Sequence, residues 1–226
     1  MNKNLFIGID PGGKNKKTSG ICVLIEKEKG VEPLKPYCLF CQDLWGREIF
    51  KIIKPFLPET KVIAIDAPLT RGQGKGKMRL YEKFLSQKVF REKKIAPLPP
   101  ALIPQLMETG IWLRRKLEAK GFILGPNLIE TFPTLVKEIV KKNLFFQVKP
   151  KNCQTKNQRS ALICALIAYL HFHFQTRYLG YRDGFLFLPE IKFWKKNWQE
   201  KFFYVWQNRH PFKYKYLTTN LFKKFK

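Results

Sequence analysis

The sequence predicts an α/β fold in which a mixed sheet, an antiparallel meander followed by parallel strands, is flanked by helices. Residues 4–10, 20–25 and 36–42 are short apolar segments, and a Gly- and Lys-rich turn follows the first, which predicts the meander. Residues 61–66 form a further apolar run with almost no alternation, as is typical of a strand covered on both faces. Helical patterns and short apolar runs alternate after it, which predicts parallel strands joined by helices.

The remaining elements follow from hydrophobic periodicity and from the Pro and Gly residues at their ends. We predict helices over residues 47–57, 78–89 and 104–120, from Pro133 onward and over 158–176, and strands over 126–131 and 184–189. The helix over 158–176 is apolar on nearly every side, so it must be buried against the sheet.

The composition changes at residue 190, so we divide the chain into a domain over residues 1–189 and a basic aromatic C-terminal extension over 190–226. The extension contains 12 aromatic residues and ten basic residues against two acidic ones. Apolar residues over 191–206 recur at helical spacing, and residues 212–216 alternate as a half-exposed strand would. Such aromatics can stack on bases, or they can dock on the domain; for the helix we favour docking, and for the strand both interpretations stay open.

The charge of the chain predicts a polyanionic partner. A formal net charge of +26 comes from 43 Lys and Arg residues against 17 Asp and Glu residues, in a chain of 226 residues. Nucleic acid, DNA or RNA, is the partner we favour, and the alternative is a generally lysine-rich surface. The longest apolar stretch, over 161–170, is too short to cross a bilayer, and the five cysteines are an odd number, so we expect a cytoplasmic protein with no membrane partner.

Two aspartates each end a short apolar run: Asp10 follows residues 5–9 and Asp66 follows residues 62–65. If the two strands are neighbours, their carboxylates meet and repel each other unless a cation lies between them. We expect that cation to be Mg²⁺ or Mn²⁺. The alternative for each aspartate is to cap the turn that follows it through backbone amides.

Further acidic and basic residues are candidates for the same site. Glu130 ends a predicted strand and either joins Asp10 and Asp66 as a metal ligand or pairs with a lysine. Glu82 either contributes a catalytic carboxylate or forms a local ion pair with Arg79, which would hold a phosphate or orient Glu82. The basic residues that we expect to bind nucleic acid are Lys14, Lys16, Lys17, Arg71, Lys75, Lys77, Arg79 and Arg159, and the alternative for them is a solvated basic face.

Several of these segments resemble known families. Residues 8–12, Gly-Ile-Asp-Pro-Gly, followed by Thr18-Ser19-Gly20, resemble the first strand and hairpin of RuvC-like resolvases. Residues 64–69, Arg79-x-x-Glu82, residues 129–133 and the helix over 161–166 together resemble the family called domain of unknown function 429. The resemblance covers residues 4–189 and implies a ribonuclease H-like fold and nuclease activity. It departs at residues 157–160, Asn-Gln-Arg-Ser, where RuvC-like enzymes place an acidic residue.

The sequence therefore predicts a metal-dependent nuclease in which Asp10, Asp66 and Glu130 bind Mg²⁺ or Mn²⁺ and Glu82 assists. A catalytically inactive ribonuclease H-like protein that binds nucleic acid is the first alternative, because the last helix lacks the expected acid. An actin-like ATP phosphotransferase is the second, because its phosphate loops begin in a similar way.

Overall fold

The computed structural model describes residues 3–12, 18–28, 30–40, 46–73, 78–141, 153 and 155–222. Strands β1 to β8 in this part of the chain are Leu5–Asp10, Thr18–Lys27, Gly30–Phe40, Thr60–Ile65, Leu128–Glu130, Thr176–Tyr181, Gly184–Pro189 and Thr218–Thr219. Helices α1 to α7 are Arg47–Ile53, Leu80–Leu85, Lys88–Glu92, Pro104–Glu118, Pro133–Ile139, Lys156–Phe172 and Lys196–Gln207. Short 3-10 helices span Lys54–Glu59, Pro100–Leu102 and Ile191–Phe193.

The strands form one mixed sheet in the order β3-β2-β1-β4-β5-β7-β6-β8. Strands β1, β2 and β3 pair antiparallel as the predicted meander, whereas β4 pairs parallel to β1 and β5 pairs parallel to β4. The predicted α/β class with a mixed sheet flanked by helices is therefore confirmed. Because β1, β4 and β5 run in the same direction, their carboxyl ends lie at the same edge of the sheet.

Helix α6 packs against one face of the sheet because two glycines leave it room. A Cβ added at Gly8 of β1 would lie 2.0 Å from the Ala161 carbonyl oxygen, and one added at Gly20 of β2 would lie 2.1 Å from the Asn157 carbonyl oxygen. Both contacts are with backbone, which cannot move aside, so only glycine allows this approach. The first turn of α6 therefore lies beside the Asp10 end of β1, where Gly20 is the partner of Asp10.

The opposite face of the sheet is covered by α1 and α4. Alternate residues of β1 and β4 point to this side, as a side-chain period of two requires. The buried residues of this cluster include Leu5, Ile7, Ile9, Ile63 and Ile65 from the strands and Ile49, Ile53, Leu113 and Leu117 from the helices. The two layers bury β1 and β4 on both sides, which explains their nearly continuous apolar sequences.

Three predicted elements are wrong in detail. The helix predicted over 78–89 is two helices, α2 and α3, because the backbone of Gln87 is extended at φ −67° and ψ 157°. The helix predicted over 158–176 ends at Phe172, where Phe174 adopts a left-handed φ of 58°, and the chain then enters β6, which we did not predict. The predicted strand over 212–216 is a series of turns, and the strand of the C-terminal extension in the described residues is β8, which pairs with β6.

The C-terminal extension docks on the rest of the molecule. Trp198, Phe202 and Val205 of α7 are buried, and Phe202 packs against Phe84 of α2 with ring centroids 5.7 Å apart. The prediction that the helical stripe docks is therefore confirmed. Within the described residues, no helix combines the length and the apolarity needed to span a bilayer.

Candidate active site

Asp10 and Asp66 lie side by side at the carboxyl edge of the sheet. Asp10 is the last residue of β1, and Asp66 directly follows β4. The Asp66 amide donates a hydrogen bond to the Ile9 carbonyl oxygen at 2.9 Å, which extends the parallel pairing of the two strands by one residue. Since Gly8 is opposite Ala64 and Ile9 is opposite Ile65, this pairing brings the two aspartates together.

The electrostatics of Asp66 reflect this arrangement. Burial and the neighbouring carboxylates of Asp10 and Glu130 raise the pKa of Asp66 well above its usual range, and Lys156 lowers it. Ionising Asp66 in this buried position beside Asp10 and Glu130 is therefore energetically costly, and a cation placed between the carboxylates reduces that cost.

Two adjoining cavities open over the aspartate pair. Their volumes are about 420 and 620 Å³, and Asp10, Asp66 and Lys156 line both of them. Apolar side chains form part of the walls: Leu98 and Ile103 also line both cavities, and Leu102 lines the larger one. The site is therefore a groove that combines charged groups with apolar side chains, which is the usual character of a small-molecule or nucleotide pocket.

Glu130, at the end of β5, is held in a network of hydrogen bonds within the protein. Arg79 Nη1 donates to Glu130 Oε2 at 2.5 Å and Arg79 Nη2 donates to Oε1 at 2.7 Å. The Tyr81 hydroxyl also donates to Oε1, and the Leu69 amide donates to Oε2 at 3.0 Å. These four bonds fill about four acceptor positions, all that a carboxylate has, so Glu130 would have to release a partner to bind a metal.

The register of the sheet places Glu130 one residue before the level of the aspartates. Glu130 is opposite Ile65 and Leu186, and Ile65 is opposite Ile9. Asp10 follows Ile9 in β1 and points to the face that α6 covers. Glu130 still lines the smaller cavity with Asp10 and Asp66, since that cavity spans the strand ends.

Glu82 is hydrogen-bonded to Arg79, and both residues line the smaller cavity with the aspartates. Its Oε2 accepts a hydrogen bond from the Arg79 amide at 2.7 Å, and its Oε1 accepts one from Arg79 Nη2 at 2.5 Å. Burial raises the pKa of Glu82, and the charge of Arg79 opposes that effect. Arg79 is 1% exposed. Of its two predicted roles, the orientation of Glu82 matches these contacts, and both terminal nitrogens are already bonded to carboxylates.

Of the other basic residues predicted to bind nucleic acid, the structure describes two, Arg71 and Arg159. Arg71 is half-exposed and its Nη2 lies 2.6 Å from Glu108 Oε1, and Arg159 is exposed on α6. Neither is among the residues that line the two cavities. The remaining five, Lys14, Lys16, Lys17, Lys75 and Lys77, lie outside the described residues.

Sequence analysis did not assign Lys156 to the site, although this residue lines both cavities with the aspartates from the first turn of α6. The helix begins there because Thr155 Oγ1 accepts a hydrogen bond from the Gln158 amide and Gln158 Oε1 accepts one from the Thr155 amide, a capping box. That Thr-x-x-Gln pattern precedes the apolar run in the sequence and could have indicated the helix start. The residue after the cap would then have been a candidate.

The donor set fits one divalent cation. In the part of the chain that the structure describes, no group of three or more His, Cys, Asp or Glu side chains is placed to hold a metal ion. Two adjacent carboxylates are nevertheless a sufficient protein contribution for Mg²⁺, which commonly uses one or two carboxylates, several waters and the phosphate oxygens of its substrate. Asp10 and Asp66 fit that description, and burial together with the neighbouring carboxylates raises the pKa of Asp66.

No protein-family model matches this chain, and a search of curated proteins finds no match either. Function therefore has to follow from the side chains of the site.

Replacing Arg79 tests the role of the buried network. We expect Arg79→Met to lower the free energy of unfolding by about 3–5 kcal/mol, because it leaves Glu130 buried without its cation. The matched control, Arg71→Met, removes an exposed pair with Glu108 and should cost about 0–1 kcal/mol. Urea unfolding measures both, and the double variant Arg79→Met/Glu130→Gln should recover part of the loss. Equal costs for the two arginine variants would contradict this assignment.

Replacing Asp66 tests the cost of the carboxylate pair. Because the pKa of Asp66 is higher in the folded than in the unfolded state, stability falls as pH rises from the unfolded pKa, about 3.9, through the folded value. Asp66→Asn carries no charge, so in EDTA at pH 7 it should melt above the wild type, by about 2–4 °C for each kcal/mol relieved.

The difference in melting temperature between Asp66→Asn and the wild type should be smaller at pH 4 than at pH 7. Addition of Mn²⁺ at pH 7 should also reduce this difference, because the ion stabilises only the wild type. Glu59→Gln, an exposed carboxylate just before β4, is the control. A variant that melts below the wild type at pH 7, or that gains the same stability from Mn²⁺, would overturn this account of the site.

Proposed function

We propose that this protein is a nuclease that hydrolyses phosphodiester bonds of DNA or RNA with a divalent cation, Mg²⁺ or Mn²⁺, held by Asp10 and Asp66. The observation that carries the proposal is the adjacency of these two carboxylates on the floor of an open groove. The chain around them has a net charge of +26. A strongly positive protein attracts a polyanion, and a carboxylate pair then requires a cation to approach a phosphate.

The residues of the site have different roles in the proposed reaction. Asp10 and Asp66, fixed by the pairing of β1 with β4, hold and orient the cation. When bound, such an ion lowers the pKa of a coordinated water and offsets negative charge that develops on phosphoryl oxygens. Glu130, ion-paired with Arg79, fixes the end of β5 and the loop after β4, where the Leu69 amide is its donor. Its contacts support a positioning role for Glu130, and its predicted role as a metal ligand stays a prediction.

The walls of the groove support a nucleotide as the occupant. Leu98 is 58% exposed and Leu102 is 70% exposed, although both are large apolar side chains. They stand beside the aspartates in the larger cavity, so a base can pack against them while its phosphate reaches the floor.

The topology supports the proposed fold family. The order β3-β2-β1-β4-β5, with an antiparallel meander followed by parallel strands and α6 across the sheet, agrees with the resemblance to ribonuclease H-like proteins. In that resemblance Asp10 and Asp66 occupy the two strand-end positions of the metal site. The family assignment therefore belongs to the same proposal as the activity.

A second candidate function is nucleic-acid binding without cleavage. One observation favours it: the first turn of α6 presents Lys156 to the aspartates, and no carboxylate occurs at residues 157–160. In that case the carboxylate pair would be a remnant of a catalytic site.

The Asp10→Asn variant distinguishes the two functions. Wild-type protein is incubated with labelled single strands, duplexes and branched junctions, with Mn²⁺ or with EDTA. We expect Mn²⁺-dependent cleavage that Asp10→Asn abolishes while the affinity for the same strands stays within about twofold, because the phosphates are held chiefly by basic residues. Glu59→Gln, remote from this edge of the sheet, should cleave normally. Cleavage that survives in purified Asp10→Asn rejects the site, and binding without cleavage by the wild type supports the second candidate.

A further inference from the structure

We propose that the site holds one divalent cation and that the ammonium group of Lys156 binds the substrate phosphate in the place where a second cation would otherwise lie. This inference rests on the proposed function and deepens it. Lys156 is assigned as a phosphate-binding residue, and the ligand it takes is a non-bridging phosphoryl oxygen of the nucleic acid.

The position of Lys156 is fixed by the helix that carries it. It is the first residue of α6, directly after the Thr155 cap, and α6 is pressed onto the sheet at Gly8 and Gly20. Lys156 lines both cavities together with Asp10 and Asp66, so its side chain borders the groove along the part that the two cavities share.

One divalent cation matches the charge of the aspartate pair. The carboxylates of Asp10 and Asp66 carry two negative charges, which a single divalent cation cancels. The ammonium of Lys156 then matches the one negative charge of a phosphodiester. The other carboxylates in the described residues that line either cavity, Glu82 and Glu130, are both bonded to Arg79, so a second cation held by them would have to displace Arg79.

The other described basic side chains are poorly placed for this role. Arg79 is buried and bonded to Glu82 and Glu130, and Arg71 is paired with Glu108. Arg159 lies on the same helix but does not line either cavity. Lys94 lines only the smaller cavity. Lys156 is therefore the described basic residue that best combines proximity to both aspartates with access to the whole groove.

The position of Lys156 has two opposite consequences. Its charge favours the ionised form of Asp66, so it lowers the pKa of that carboxyl. The same charge repels a divalent cation bound to Asp10 and Asp66 and attracts a phosphate. Removing the charge should therefore strengthen cation binding and weaken nucleic-acid binding, a combination that a purely structural role would not produce.

The test compares Lys156→Met with Lys120→Met, an exposed lysine beyond the far end of α4. Calorimetric titration of each protein with Mn²⁺ alone should give one ion per chain for the wild type. Lys156→Met should bind Mn²⁺ about threefold to tenfold more tightly at low salt, since a like charge has been removed. Lys120→Met should match the wild type.

A salt titration with a single-stranded oligonucleotide measures the phosphate contact. In Ca²⁺, the slope of log K against log salt should fall by about 0.7 in Lys156→Met, the value for one lost phosphate contact on a single strand. Lys120→Met should leave the slope unchanged. An unchanged slope in Lys156→Met, weaker Mn²⁺ binding by that variant, or two ions per chain in the wild type would each overturn the inference.

The Asp10→Asn and Lys156→Met variants together distinguish failure of this inference from failure of the proposed function. If Asp10→Asn binds Mn²⁺ as the wild type does, the metal site itself is rejected. If Asp10→Asn loses Mn²⁺ binding while Lys156→Met behaves as the wild type in both titrations, only the role of Lys156 is rejected.

Discussion

The parallel pairing of β1 with β4 is the constraint on which the site depends. It places Asp10 and Asp66 next to each other at one edge of the sheet, and the Asp66 amide is itself part of the pairing through its bond to the Ile9 carbonyl. Both strands are buried on both faces, so neither can slide without exposing core residues. The rigid sheet therefore holds the two carboxylates close together despite their electrostatic repulsion.

The carboxylates at this edge of the sheet form two groups with different surroundings. Glu82 and Glu130 both form ion pairs with the fully buried Arg79. Asp10 and Asp66, on the α6 side, are adjacent and raise the energy of the ionised pair. The first group stabilises the fold, and the second provides the electrostatic basis for cation binding.

Much of this arrangement could be predicted from the sequence, because strands β1, β4 and β7 have short apolar runs with abrupt ends. Asp10 and Asp66 were identifiable since each ends such a run. The partners of Glu130 were not, because its contacts with Arg79 and Tyr81 cross about 50 residues of chain and depend on the register of β5. Lys156 could not be assigned to the site from the sequence, because a lysine before an apolar helix is common in a chain with 43 basic residues. Strand β6 was not predicted because its sequence, Thr-Arg-Tyr-Leu-Gly-Tyr, has no continuous apolar run, and the predicted helix was extended past the left-handed Phe174 to residue 176.

The most direct measurement is the anomalous scattering of Mn²⁺ in crystals of the wild-type protein. The account predicts one strong peak between the carboxylates of Asp10 and Asp66, within about 2.0–2.4 Å of an oxygen from each. No peak at saturating Mn²⁺, or a peak bound elsewhere with these two side chains turned apart, would contradict it.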